Sequence, residues 1–438
     1  MDQVPSGLPE GVGDEVAART VRRVMLRLIP FIVLLYILNY IDRVNISFAK
    51  EGLQHSLDLS NQAYGFGAGV FFLSYFIFEV PSNLLMDRVG ARRWLARIMI
   101  SWGLISSAMM FVRGEWSFYA LRFLLGAAEA GFAPGVLLYL TYWLPLKDQA
   151  KAVAWFLTSI ALSGVIGSPL AGLILQLDGA ALWGHALHGW QWLFFLEGIP
   201  SVLGGIATLL VLTDRPEQAR WLRADERAWL THTLTQERAV RGRGGHTSLG
   251  PALATFRVWH LCAIYCCIMF AFQASMLWLP AIIRDATGIK DDLRVCLLTG
   301  IPYAVAAVTM VLVARHSDRT GERRWHVAIA CGASAAGFVG AALAGGPWGV
   351  MIGLSVALGA AFATLGPFWA LPPAFLVGTA AAGGIAMVNA VGNLGGFQSS
   401  SLLGVLFTRT KGHAAGMLTT AGVMVLAGVL VVLLRKRK

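Results

Sequence analysis

Asp87-Arg88-Val89-Gly90-Ala91-Arg92-Arg93-Trp94 returns 231 residues later as Asp318-Arg319-Thr320-Gly321-Glu322-Arg323-Arg324-Trp325, with six of the eight positions identical. Each copy is short, polar and basic, and each joins two long apolar stretches. A glycine in the middle permits a tight turn, and Asp can cap a helix end or pair with arginines of a neighbouring loop. Two such joints at matching places predict a chain built from two copies of one plan.

The flanking sequence says what that plan is. From Trp325 to Thr408 there are 84 residues without one Asp, Glu, Lys or Arg. A water-facing surface cannot be built from such a run. It suits about three membrane crossings of ~20 residues each with their turns. The whole chain of 438 residues is 56% hydrophobic and 13% charged, about half the charge usual in soluble domains. Soluble, disordered and coiled-coil classes are thereby excluded.

Twelve apolar spans are predicted, over 24–48, 61–86, 94–112, 116–143, 150–177, 189–212, 255–284, 293–315, 324–344, 347–371, 374–408 and 413–434. Each must be a helix, because hydrocarbon offers no partner for a free backbone N–H or C=O. The expected fold is an all-α membrane protein, with twelve transmembrane helices in two pseudo-symmetric six-helix bundles. The expected segments are a tail 1–23, a bundle 24–212, a polar linker 213–254, a second bundle 255–434 and a basic tail 435–438. Spacing predicts a helix over Pro216 to Ala239, with Trp221, Leu222, Trp229 and Leu230 on its apolar side, lying along the membrane surface.

The net charge of +11 is distributed by side. Arg19, Arg22, Arg23, Arg27, Arg88, Arg92, Arg93, Lys147, Lys151, Arg315, Arg319, Arg323 and Arg324 share one side with the linker arginines. The opposite turns hold few or balanced charges, such as Arg113 with Glu115 and Lys290 with Asp291 and Asp292. This is the positive-inside pattern, and it predicts cytoplasmic termini. It does not point to nucleic acid. The five cysteines form no C-x-x-C pair and are expected as free thiols.

Four segments and two loops carry a family resemblance: LNYIDRVN at 38–45, FFLSYFIFEVPSNLL at 71–85, YLTYW at 139–143, GWQWLFFLEGIP at 189–200 and the two D-R-x-G-x-R-R loops. The loops resemble the signature of the major facilitator superfamily, with Asn83 where that signature has its leading glycine. The set as a whole resembles the anion:cation symporter family, whose bacterial members carry tartrate, aromatic acids and sugar acids. The resemblance implies the major facilitator fold and proton-coupled transport of a small organic anion by alternating access, a tartrate-like hydroxy acid being favoured. Anion exchange and an aromatic-acid permease are the alternatives. It also implies a monomer in a bacterial cytoplasmic membrane, with an organic anion and protons as partners and no cofactor, metal or nucleic acid.

Ionisable groups inside a membrane cost ~2.5–3.5 kcal/mol each on insertion scales and call for a reason. Those counted are Asp42 and Arg43 on span one, Glu79 on span two, and Arg122 and Glu129 on span four. Arg122 and Glu129 share a face two turns apart, too far apart for a direct pair. Asp42 is the expected partner of Arg122, while Arg43 points about 100° away from Asp42. Glu79 is expected to reach water or loop arginines at a helix end. The second half offers neutral groups instead, among them Gln273, Asn389 and Asn393, the last two on one face. By resemblance, Asp42 and Glu129 are the proton-coupling carboxylates. Arg43, Arg122, Tyr40, Tyr75, Gln273, Asn389 and Asn393 are then the substrate-binding residues. Asp87, Arg88, Arg92, Asp318, Arg319 and Arg323 are the expected gate. The chain lacks H-E-x-x-H, G-x-S-x-G and the Walker lysine motif, so catalysis is not the expectation.

Overall fold

The computed structural model describes residues 12–182, 184–242, 256–372 and 379–434. Its spans one to six are Val12–Leu57, Asn61–Val89, Ala91–Ala108, Glu115–Thr141, Leu146–Leu175 and Gly189–Val211. Spans seven to twelve are Phe256–Thr287, Asp292–Thr320, Arg324–Leu343, Pro347–Trp369, Thr379–Thr410 and Ala414–Leu433. The expected start of span eleven at 374 lies outside the described residues, as does the basic tail 435–438. All five cysteines are free.

Span one is longer than the sequence suggested. Its 46 residues reach about 69 Å at 1.5 Å each, twice the ~30 Å of a hydrocarbon core. The excess lies at both ends, over 12–23 and 49–57, and the first of these projects on the side of the termini. There Arg19 and Arg23 hold the buried carboxylate of Glu226 at 3.0 and 2.6 Å. Glu226 belongs to the linker helix, Ala224–Gly242. The expected linker helix is therefore corrected at its start, where Pro216–Gln218 makes only a 3₁₀ turn. The helix packs on the first half. Leu230 and Leu234 are buried, and Trp221 stacks on Trp143 at 5.4 Å with Arg27 above it.

Among the described residues span four is interrupted. Span four stops at Glu129 and restarts at Phe132. Gly131 makes the break with φ +89°, and an added Cβ would lie 2.4 Å from Ser82 Oγ. Span ten has no such break: Thr364, between Pro347–Ala363 and Leu365–Trp369, keeps helical angles of φ −68° and ψ −30°.

The halves meet tightly on the side opposite the termini. Gly65 of span two lies so close to Gly404 of span eleven that a Cβ would fall 3.0 Å from its Cα. Gly172 of span five backs against Leu293 and Cys296 of span eight. Arg284 of span seven bonds Glu51 at the end of span one at 2.5 Å.

Candidate functional site

Arg43 and Arg122 face one narrow cavity between the halves. Phe72 completes the first-half wall, and Gln273, Met276 and Leu277 of span seven form the other wall. Arg43 lies inside an aromatic cage. Its guanidinium carbon is 4.9 Å from the Tyr40 ring centre and 5.4 Å from those of Phe71 and Tyr75. Such faces favour a cation. One Nη of Arg43 donates to Glu129, forming an ion pair between spans one and four. Glu129 holds that position because it is the last residue before the break in span four.

Arg122 is 1% exposed and sits 4.8 Å over the Phe71 ring. It donates once, to the Ala68 carbonyl at 3.2 Å. Its Nε and Nη1, the Nε of Arg43 and the Nε2 of Gln273 have no hydrogen-bond partner among the described residues. Leaving buried donors unpaired costs ~1–3 kcal/mol each, more for charged groups. All these donors belong to residues lining the same cavity. What the cavity lacks, on both counts, is an acceptor with negative charge.

The expected Asp42–Arg122 pair is corrected. Asp42 turns away from the cavity into the first half. There it accepts from Trp102 Nε1 at 2.7 Å, Ser106 Oγ at 2.8 Å and Ser201 Oγ at 2.6 Å. The reason is the 100° step between consecutive helical residues. Once Arg43 faces the cavity, Asp42 must face spans three and six.

Glu79 is also corrected. It neither reaches water nor a loop arginine, and is 4% exposed. Its carboxylate accepts from Asn389 and, at 3.5 Å, from Asn393 of span eleven. The two asparagines do share a face, and that face meets a first-half carboxylate.

The loops bind their own halves. In the first, the Arg92 backbone N–H donates to Asp214 at 2.8 Å and its guanidinium to the Leu209 carbonyl at 2.7 Å, at the end of span six. In the second, Asp318 pairs with Arg323 at 2.6 Å, and Arg324 donates to the Val432 carbonyl at the end of span twelve. Cations at helix C-termini are favourable. Arg88 and Arg319 are exposed, and the Asp87 side chain lies outside the described residues.

One acid was missed by the sequence reading. Glu197 of span six is 4% exposed and stands in the apolar run WLFFLEGIP. The rule that singled out Asp42 applies equally to it.

The sequence profile described as Major Facilitator Superfamily matches residues 32–400. The chain is 43% identical to a putative tartrate transporter of Agrobacterium vitis, over 97% of this chain and 96% of that protein. It is 43% identical to the putative metabolite transport protein NicT of Pseudomonas putida, over 93% and 92%. It is 38% identical to the inner membrane transport protein RhmT of Escherichia coli, over 95% of each. Among solved structures, an inward-facing bacterial Spinster homologue aligns with TM-score 0.77 at 15% identity, covering 97% of both chains. A partially occluded, inward-open xylose transporter of Escherichia coli aligns at 0.75 and 15%, covering 94% of this chain and 98% of that one.

Proposed function

This chain belongs to the major facilitator superfamily, and we propose that it is a proton-coupled carrier of a small organic carboxylate, a tartrate-like hydroxy acid. The observation that carries the reading is the set of unpartnered donors of Arg43, Arg122 and Gln273 around one cavity. A guanidinium offers two parallel N–H groups to a carboxylate, and two such groups with an amide suit an acid bearing further oxygen substituents. The names of the tartrate and NicT relatives support an organic acid.

Charge counting supplies the coupling. Glu129 neutralises Arg43, whereas Arg122 has no ion-pair partner among the described residues. A proton arriving on Glu129 releases Arg43 to the cavity and strengthens anion binding. By linkage the anion then strengthens proton binding equally. A monoanion crosses without net charge with one proton, and a dianion such as tartrate with two. Tyr40 and Tyr75 hold Arg43 in place, and Asn389 and Asn393 close the second half over the cavity through Glu79. The two bundles, 24–212 and 255–434, rock around this site, and their basic loops latch the side of the termini in the opposite state. By the positive-inside rule that side is the cytoplasm, across a bacterial inner membrane.

A second substrate class, aromatic acids, is favoured by Phe71 and Phe72 beside the two arginines. Uptake of labelled tartrate into proteoliposomes under an inward-acid gradient, with competition by hydroxy and aromatic acids, tests both. Accumulation blocked by hydroxy acids supports the first reading. Uptake of a labelled aromatic acid in place of tartrate selects the second. Uptake indifferent to the gradient refutes proton symport.

A further inference from the structure

Arg97 of span three is a cation turned toward the lipid. Leu95, Ile98, Met99, Trp102 and Ser106 belong to the buried face of Ala91–Ala108. Arg93, Arg97 and Leu104 fall on the opposite face, at spacings of four and seven. Arg93 is exposed, and Leu104 is 57% exposed. In a spanning helix, that face meets the bilayer. Arg97 stands about 9 Å from the helix start, at 1.5 Å per residue, so it lies deeper than the basic loop itself.

The side chain is held but not satisfied. Its guanidinium carbon lies 4.0 Å from the centre of the Trp94 ring, and Trp94 Nε1 donates to Ser82 Oγ of span two at 3.1 Å. Trp94 is one turn nearer the loop, so the guanidinium turns back toward the membrane surface, as long cationic side chains do. The ring offers its face to the cation but no lone pair to the N–H groups. Among the described residues, Arg97 Nε has no hydrogen-bond partner and no carboxylate acts on the guanidinium.

The shared fold does not require this charge. The repeat of 231 residues puts Trp325 at the place of Trp94, Arg324 at that of Arg93 and Ala328 at that of Arg97. Arg324 donates to the Val432 carbonyl of its own half. The cation on span three therefore answers something outside the architecture that the halves have in common. At the edge of the hydrocarbon, the anion at hand is the phosphate of a lipid. A guanidinium meets a phosphate with two parallel N–H donors, and anionic headgroups gather at basic sites beside spanning helices.

We propose that Arg97, with Trp94 as its platform and Arg93 one turn nearer the surface, binds the phosphate of one anionic phospholipid in the leaflet on the side of the termini. The apolar stripe that continues to Leu104 receives its acyl chains. A soluble anion would have to leave water to reach this face, whereas a lipid already lies against it.

The test uses the purified full chain and counts lipid directly. Native mass spectrometry of protein taken from membranes rich in phosphatidylglycerol should show Arg97→Gln retaining one phosphatidylglycerol fewer than the wild type. Arg113→Gln, in a turn on the opposite side, should retain as many as the wild type. In delipidated wild type, added phosphatidylglycerol should raise the thermal midpoint. Arg97→Gln should need about tenfold more lipid for the same rise, because it lacks the charge-assisted pair. Diacylglycerol with the same chains, or inorganic phosphate, should not reproduce the effect. These wild-type titrations stand even if the variant fails to fold. Equal retention by wild type and Arg97→Gln overturns the proposal, and so does an equal loss in Arg113→Gln. Stabilisation of the wild type by diacylglycerol would mean that the chains alone are recognised, and stabilisation by inorganic phosphate would mean a soluble-anion site. Either result also overturns it, and no arm depends on what the carrier transports.

Discussion

The carboxylate of Glu79 on span two accepts a hydrogen bond from Asn389 on span eleven, 310 positions away. One buried acid of the first half is thereby tied to the amide face of the second. Parting the halves at this point has to break the contact.

Its removal is the first prediction. Bonds to a charged group contribute ~1.5–3 kcal/mol, which is roughly ten- to a hundredfold in an equilibrium between two states. Glu79→Leu should populate the form open on the side of the termini. Thiol labelling of a cysteine placed at Met276 of the cavity wall, in a chain freed of native cysteines, should then accelerate about tenfold. Equal labelling rates would deprive Glu79 of any latch function.

Arg43→Lys preserves charge and discards the planar fork. Substrate affinity measured by calorimetry should fall roughly ten- to a hundredfold, for the loss of ~1.5–3 kcal/mol of charge-assisted bonding. Arg122→Lys should cost a similar factor, because its guanidinium has no ion-pair partner among the described residues. Wild-type affinity in either variant removes that arginine from the site.

Glu129→Gln leaves Arg43 permanently unpaired, as protonation does. Counterflow of preloaded substrate should persist while accumulation driven by a pH gradient disappears. The affinity of the variant should no longer change with pH over the range in which the wild type's does. Normal accumulation would move the substrate-linked proton elsewhere.

Gly131→Ala tests the break in span four. The backbone there has φ +89°, and a Cβ would meet Ser82, so strain of ~1–3 kcal/mol is expected. Thermal unfolding in detergent should shift down by a few degrees. Transport should fall further than binding stability alone predicts, because the break positions Glu129 two residues before it. A variant with normal uptake would make the break incidental.

What could be read from the linear chain was local or periodic. Apolar runs, the doubled D-R-x-G-x-R-R loop and the scarcity of charge are properties of contiguous residues, so they determined the span count, the internal repeat and the helical class by themselves. Intramembrane cost alone marked Asp42, Arg43, Glu79, Arg122 and Glu129, and would have marked Glu197 by the same rule. Pairing was another matter. Whether Asp42 or Arg43 faces the cavity depends on how span one is rotated against its neighbours, and a helix rotated by 100° exchanges the two. Only tertiary packing joined Arg43 to Glu129, turned Asp42 toward Trp102, Ser106 and Ser201, and brought Glu79 to Asn389, because those contacts join helices dozens to hundreds of residues apart and no local energy specifies them.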